Sequence, residues 1–172
     1  MIIRDASIAD LPAIVAIYNA TIPTRLATAD TAPVSVASRE PWFHEHTPAR
    51  RPLWVMDDDG VVSGWFSFQS FYGRPAYHAT AELSVYVHAG HRRRGVAWQL
   101  LEEAIRCSPS LGLATLVGYI FGHNTPSLRL FERHGFERWG LLPRVAEMDG
   151  SERDVVIVGR RVDGTVSTPS GG

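Results

Sequence analysis

Glu82 is the side chain of this chain best set to handle a proton. It lies in the strand-like segment Thr80 to His88, flanked by Ala81 and Leu83. The two-residue repeat of a strand puts Glu82, Ser84, Tyr86 and His88 on one face and Ala81, Leu83, Val85 and Val87 on the other. A carboxylate carried mid-sheet is costly unless paired. Burial raises its pKa toward the range in which it accepts an ammonium proton near neutral pH, directly or through one water. A glutamate partnered at a sheet edge is the alternative. Directly after this segment comes Arg92-Arg93-Arg94-Gly95-Val96-Ala97, at the head of a helix with Ala97, Leu100, Leu101, Ala104 and Ile105 on one face. Gly95 permits close backbone approach and Ala97 leaves room beside it. The first N–H groups of the helix are unpaired at the positive end of its dipole, and the three arginines add charge. The expected ligand is anionic and bears phosphate. A short arginine run also reads as a solvated face or the edge of a nucleic-acid patch. Here it stands at the start of a helix and not along its side. Neither a nucleotide P-loop nor G-x-G-x-x-G occurs.

The elements that must position these groups can be traced along the chain. Ile2 to Arg4 reads as a strand, and Ser7-Ile8-Ala9-Asp10 as a capping-box start for a helix using Leu11, Ile14, Val15, Ile17 and Tyr18. Thr21 to Ala32 lacks periodicity. A second helix is expected from about Ser35 to His44 despite Pro41. Leu53 to Met56 and Val61 to Phe71, joined by Asp57-Asp58-Asp59-Gly60, form a hairpin. A loop, Tyr72 to His78, leads into the Thr80 strand. Leu113 to Phe121 is a further strand, followed by a helix capped by Asn124 and closed at Gly135. Phe136 to Glu147 and Arg153 to Arg161 pair through Asp149-Gly150. The tail from Asp163 is nearly devoid of apolar residues and is expected to be disordered.

Composition narrows the function classes. With 172 residues, 45% of them hydrophobic, one core-bearing domain over residues 1–162 is expected. A net charge of −1 disfavours a general nucleic-acid binder. All 17 basic residues are arginine, so lysine Schiff-base chemistry is absent and the cations clamp anions without shuttling protons. Cys107 is the one cysteine, which excludes an internal disulfide and a multi-cysteine metal site. The seven histidines form no H-E-x-x-H set, and His44 and His46 point to different helix faces, so no metal is expected. No apolar run approaches the roughly 20 residues that span a bilayer, and no leader pattern is seen, so a soluble, cytoplasmic protein is expected.

Arg92-x-x-Gly95-x-Ala97 after Glu82-Leu83-Ser84-Val85-Tyr86-Val87, then Asn124-Thr125-Pro126-Ser127 and Leu130 to Phe136, resembles the GNAT acetyltransferases over almost the whole chain. Ile17-Tyr18-Asn19, Thr28-Ala29-Asp30, Phe71 to Tyr77 and Arg144 to Gly150 extend the likeness to the phosphinothricin and methionine sulfoximine acetyltransferase group. The resemblance implies the α/β (α+β) GNAT acyltransferase fold, a mixed central sheet flanked by helices. It implies acetyl-CoA as co-substrate, a small amino-acid-like amine as acceptor, direct transfer, and a homodimer. Glu82 matches the general base. Backbone groups of Val85, Tyr86 and Val87 would meet the pantetheine arm as an added strand does. Arg93, Arg94, Gly95, Val96, Ala97 and Trp98 would receive the pyrophosphate. Asn124 and Ser127 match positions near the pantetheine and thiol, with a simple helix cap as the alternative for Asn124. Tyr72, Arg74 and Tyr77 match the substrate side, where Arg74 would clamp a carboxylate or phosphinate; a solvated loop arginine is the alternative. Phe131 departs from the pattern, because relatives place Tyr or His there to protonate the leaving thiolate. Tyr119, Tyr86, Ser127, His123 or water would have to replace it. Acetylation of a protein N-terminus or of another small amine, and a non-catalytic acyl-CoA sensor, are the competing functions.

Overall fold

The computed structural model describes residues 1–162, so the expected disordered tail lies outside the described residues. Eleven regular elements follow one another: β1 (Ile2–Asp5), α1 (Leu11–Thr21), α2 (Val36–His44), β2 (Leu53–Asp58), β3 (Val61–Ser70), β4 (Thr80–Val87), α3 (Val96–Cys107), β5 (Thr115–Phe121), α4 (Thr125–Arg133), β6 (Glu137–Met148) and β7 (Ser151–Arg161). Local chemistry explains most of the boundaries. The Ser7 backbone N–H and hydroxyl both donate to the Asp10 carboxylate, at 2.7 and 3.0 Å, and set the short 3-10 turn that feeds α1. Ser35 caps α2 by accepting from the Ser38 N–H, and Pro41 sits inside that helix, forgoing one backbone bond. The β2–β3 and β6–β7 turns place Asp59-Gly60 and Asp149-Gly150 at positive φ, the conformation a two-residue hairpin turn needs.

The strands form one sheet in the order β1-β2-β3-β4-β5-β7-β6, antiparallel except for the β4–β5 pair. That pair is short. Thr80, Ala81 and Glu82 face Thr115, Leu116 and Val117, and there the ladder stops. Beyond Glu82, β4 stays paired with β3 as far as Val87, while β5 stays paired with β7 as far as Phe121. The sheet therefore opens in its middle, and the edge of β4 from Leu83 to Val87 that faces β5 has no strand partner among the described residues.

Alternation along the strands gives the sheet two cores. Trp54, Met56, Phe66, Phe68 and Leu83 point to the face covered by α3 and α4, where they meet Leu100, Leu101 and Phe131. Leu53, Val55 and Trp65 point to the other face, against Ile14 and Ile17 of α1. The buried Trp65 indole donates to the Ile14 carbonyl at 3.1 Å, so its polar edge is satisfied inside that core. A β-carbon on Gly64 would meet Val96 Cγ1 at 2.7 Å, so the absence of a side chain there lets the start of α3 settle onto β3.

Candidate active site

The opening between β4 and β5 is a cleft that runs through the sheet. At one end the turn Arg92 to Gly95 delivers the chain into α3. Arg93 has φ 61° and Gly95 φ 79°, both left-handed, and no side chain caps the helix. Arg92, Arg93, Gly95, Val96, Ala97 and Trp98 line this end, with Val85, Tyr86 and Val87 of β4 along one wall. Arg94 is different. Its guanidinium turns to Asp58, 3.5 Å away, and does not line the groove. The need for glycine at 95 also differs from the close approach expected. A β-carbon there would meet only the Gln99 amide within 4 Å, at 3.5 Å, so the left-handed φ is what requires it.

Glu82 sits farther in, where the two strands part, in a cavity it shares with Ser84, Tyr119, Ser127 and Phe131. Its carboxylate is half-buried and has no ion pair or hydrogen bond among the described residues, and burial alone pushes its pKa up. Phe131 is buried with its ring 4.9 Å from that of Phe136, and it packs so near Gly118 that a β-carbon there would stand 3.4 Å from it. Burial pushes the phenol of Tyr119, on β5, up to about 12, and the neighbouring Tyr72 phenol adds to the rise. Tyr86 donates its hydroxyl to the Ala27 carbonyl at 3.2 Å.

Both ends of the Asn124 amide are engaged. Oδ1 accepts from the Ser127 N–H and caps α4, while Nδ2 donates to the Leu26 carbonyl at 2.9 Å. His123 Nε2 meets the Arg25 carbonyl at 2.8 Å, and the Arg25 guanidinium pairs with Asp149. These ties hold the connection between α1 and α2 over the cleft, so Leu26 and Ala27 line it at both ends. The sequence reading missed this roof, which has no periodicity to mark it. Tyr72, Arg74 and Tyr77 lie on the exposed loop before β4 and line none of the cavities in the cleft. Tyr72 nevertheless lies near Tyr119 at the rim, and its ring lies with those of Phe71 and Tyr77. A second pocket missed from sequence opens under α1 and α2 and holds Tyr18, Arg39, Trp42 and Trp65. It adjoins the cleft at Ser84 and Tyr86, which line both. Among the described residues no group of three or more His, Cys, Asp or Glu is arranged to hold a metal, and no helix is long and apolar enough to cross a membrane.

Comparison with known proteins places these features in a wider context. The sequence pattern of the acetyltransferase (GNAT) family matches residues 14–136. Over 163 residues the chain is 53% identical to YwnH of Bacillus subtilis (strain 168), named as a candidate phosphinothricin acetyltransferase, with 94% of this chain and 99% of that protein covered. It is 35% identical over 168 residues to the L-methionine sulfoximine/L-methionine sulfone acetyltransferase of Pseudomonas aeruginosa, covering 97% of this chain and 98% of the relative. The crystal structure of a GNAT superfamily phosphinothricin acetyltransferase from Sinorhizobium meliloti in complex with AcCoA superposes with a TM-score of 0.88 at 30% identity, over 94% of this chain and 88% of that one.

Proposed function

The chain belongs to the acetyltransferase (GNAT) family, and from that premise we propose that it transfers the acetyl group of acetyl-CoA directly to the amino group of a small amino-acid-like acceptor of the phosphinothricin or methionine sulfoximine type. The observation that carries this reading is Glu82, a half-buried carboxylate without a partner at the point where β4 and β5 part. A binding-only module has no use for such a group, since an unpaired buried acid weakens the fold.

The residues present suit acetyl-CoA. Arg93, Gly95, Val96, Ala97 and Trp98 offer uncapped helix N–H groups and a cation to the pyrophosphate, and Arg94 adds charge from a distance. The unpartnered edge of β4 at Val85, Tyr86 and Val87 can pair with the amides of an extended arm. Ser127 and the backbone around Asn124 border the passage from there to Glu82. Bound along this path, acetyl-CoA supplies an activated acyl thioester.

The protein's own part is proton handling and alignment. Glu82 takes the proton from the acceptor's ammonium group, leaving a neutral amine as nucleophile, and burial raises its pKa toward that of the ammonium, which eases the exchange. Phe131 cannot protonate the departing sulfur. Tyr86 is bonded to Ala27 and His123 to Arg25, which leaves the hydroxyls of Tyr119 and Ser127 on the cavity wall for that role. On the acceptor side, Tyr72 lies near Tyr119 at the rim, and Arg74 and Tyr77 of the same exposed loop would draw in an acid-bearing molecule. For assembly, the outer strand β6 exposes Trp139, Leu141, Leu142 and Val145, which supports a homodimer through that strand.

The reading is tested by thiol release from acetyl-CoA with purified protein and a panel of phosphinothricin, L-methionine sulfoximine, L-methionine sulfone, simple amines and a short peptide. Turnover is expected on the amino-acid-like members. Release with the peptide alone would move the assignment to protein N-termini, and no release with any amine would overturn the catalytic reading.

A further inference from the structure

The pocket under α1 and α2 carries one charged side chain, Arg39. Its Nη2 donates to Asp30 Oδ2 at 3.1 Å, and the guanidinium lies over the Tyr18 ring, 5.1 Å from the centroid. Nε and Nη1 have no partner among the described residues, although the side chain is only 30% exposed. A guanidinium offers five N–H donors in a fixed fork, so most of that fork is unused beside a cavity it lines.

The floor of the pocket adds direction. Ser67, Gln69 and Ser84 line it, and all three stand on the sheet face that also carries Glu82: Gln69 is paired with Glu82 across β3 and β4, and Ser67 with Ser84. Ser84 and Tyr86 are common to this pocket and to the cavity that holds Glu82, so the two adjoin along that stretch of β4. Trp42, Trp65 and Tyr86 wall it, with the Trp65 and Tyr86 rings stacked 4.6 Å apart. A charge pair formed against these aromatic walls is screened less than one on the surface. A carboxylate and an under-used guanidinium thus stand in adjoining pockets, the pattern complementary to a molecule carrying an ammonium and an anionic group. Arg74, on its exposed loop, lies outside these walls.

Resting on the transferase reading above, we infer that Arg39 is the inner anion clamp of the acceptor pocket, and that the acceptor is a small zwitterionic amino acid whose acid group meets Arg39 while its amine meets Glu82. The clamp acts as a specificity determinant. It orients the amine as well as holding the acceptor, so molecules without the acid group lose both advantages.

The test uses full-length protein, acetyl-CoA and a matched acceptor pair, L-methionine sulfone and its decarboxylated form 3-(methylsulfonyl)propylamine, with Arg39→Gln, Arg39→Lys and Asp30→Asn. Arg39→Gln should lower kcat/KM for the amino acid by about 10- to 100-fold, chiefly through KM, and change the amine by less than about 3-fold. Arg39→Lys should recover part of the loss. Asp30→Asn removes the ion pair but keeps the guanidinium, and should retain the preference for the amino acid. Equal losses on both acceptors, an unchanged KM for the amino acid, or an Asp30→Asn variant that reproduces Arg39→Gln would overturn the clamp. Calorimetric titration with L-methionine sulfone separates the two readings. Arg39-dependent binding without acetyl transfer by the wild type would sink the transferase assignment and keep the clamp. Transfer to the simple amine with neither binding nor transfer of any α-amino acid would do the reverse.

Discussion

Replacing Glu82 by Gln preserves the shape of the side chain and removes its ability to take a proton. A lost general base costs typically about 10²- to 10⁴-fold. The cleft is open to solvent, so water can take over part of the task, and the lower end, about 10²-fold or about 2.7 kcal/mol of barrier, is expected. Thiol release in steady state at pH 7 measures this directly, with acetyl-CoA affinity followed separately by calorimetry and expected to be unchanged. The pH profile adds a second constraint. The fraction of free amine rises about tenfold per pH unit below the amine's own pKa, so the variant should gain on the wild type steadily and approach it in alkaline solution. Stability supplies a third. Burial raises the Glu82 pKa in the folded state, so its contribution is fully present below the ordinary carboxylate value and lost as pH rises through the raised one. Above the raised value the ionised carboxylate weakens the fold, so there Glu82→Gln should melt at the same temperature or higher, with the difference vanishing in acid. A wild-type rate at pH 7 would refute the base assignment. A clear drop in melting temperature would show that the carboxylate holds structure together, contrary to its lack of partners.

Three further outcomes are expected. Gly95→Val forces a β-branched residue into φ 79°, at a cost of about 1–2 kcal/mol, and the displaced turn should weaken acetyl-CoA binding by at least about tenfold in calorimetry; an unaltered affinity would remove the pyrophosphate from this turn. Arg74→Ala should lower kcat/KM for acid-bearing acceptors by about 3- to 10-fold, a modest effect because the loop is exposed and its charge is screened. That loss should fade in high salt and be absent for a decarboxylated acceptor. Arg4 donates to both oxygens of Asp10, at 2.8 and 2.9 Å, and holds its carboxyl down at about 2. Because the folded value is depressed, that stability is present above the ordinary carboxylate range and is lost as pH falls toward about 2, so Asp10→Asn should cost about 1–2 kcal/mol in urea unfolding at pH 7 and progressively less below pH 4.

The sequence alone determined the features that depend on near neighbours. Alternation in Thr80 to His88 placed Glu82 on the face opposite Ala81 and Leu83, because a strand's side-chain repeat is local. The Asp-Gly pairs fixed two hairpins through the φ their turns demand, and the glycine and apolar spacing after Arg94 located the start of α3. Which of the 17 arginines enters the site was not legible in this way. Arg94, inside the motif, turns to Asp58, whereas Arg39, in a helix with little apolar patterning, lines the pocket under α1 and α2. The roof formed by Leu26 and Ala27 was equally hidden, since it is held by Tyr86, His123 and Asn124 from distant parts of the chain. Only the assembled sheet decided that β4 and β5 part after Glu82. Each strand keeps its other neighbour to the end of its ladder while the shared pairing stops after three residues. The length of a pairing between non-adjacent strands is set by sheet twist and by the packing on both faces, quantities that no local run of residues encodes.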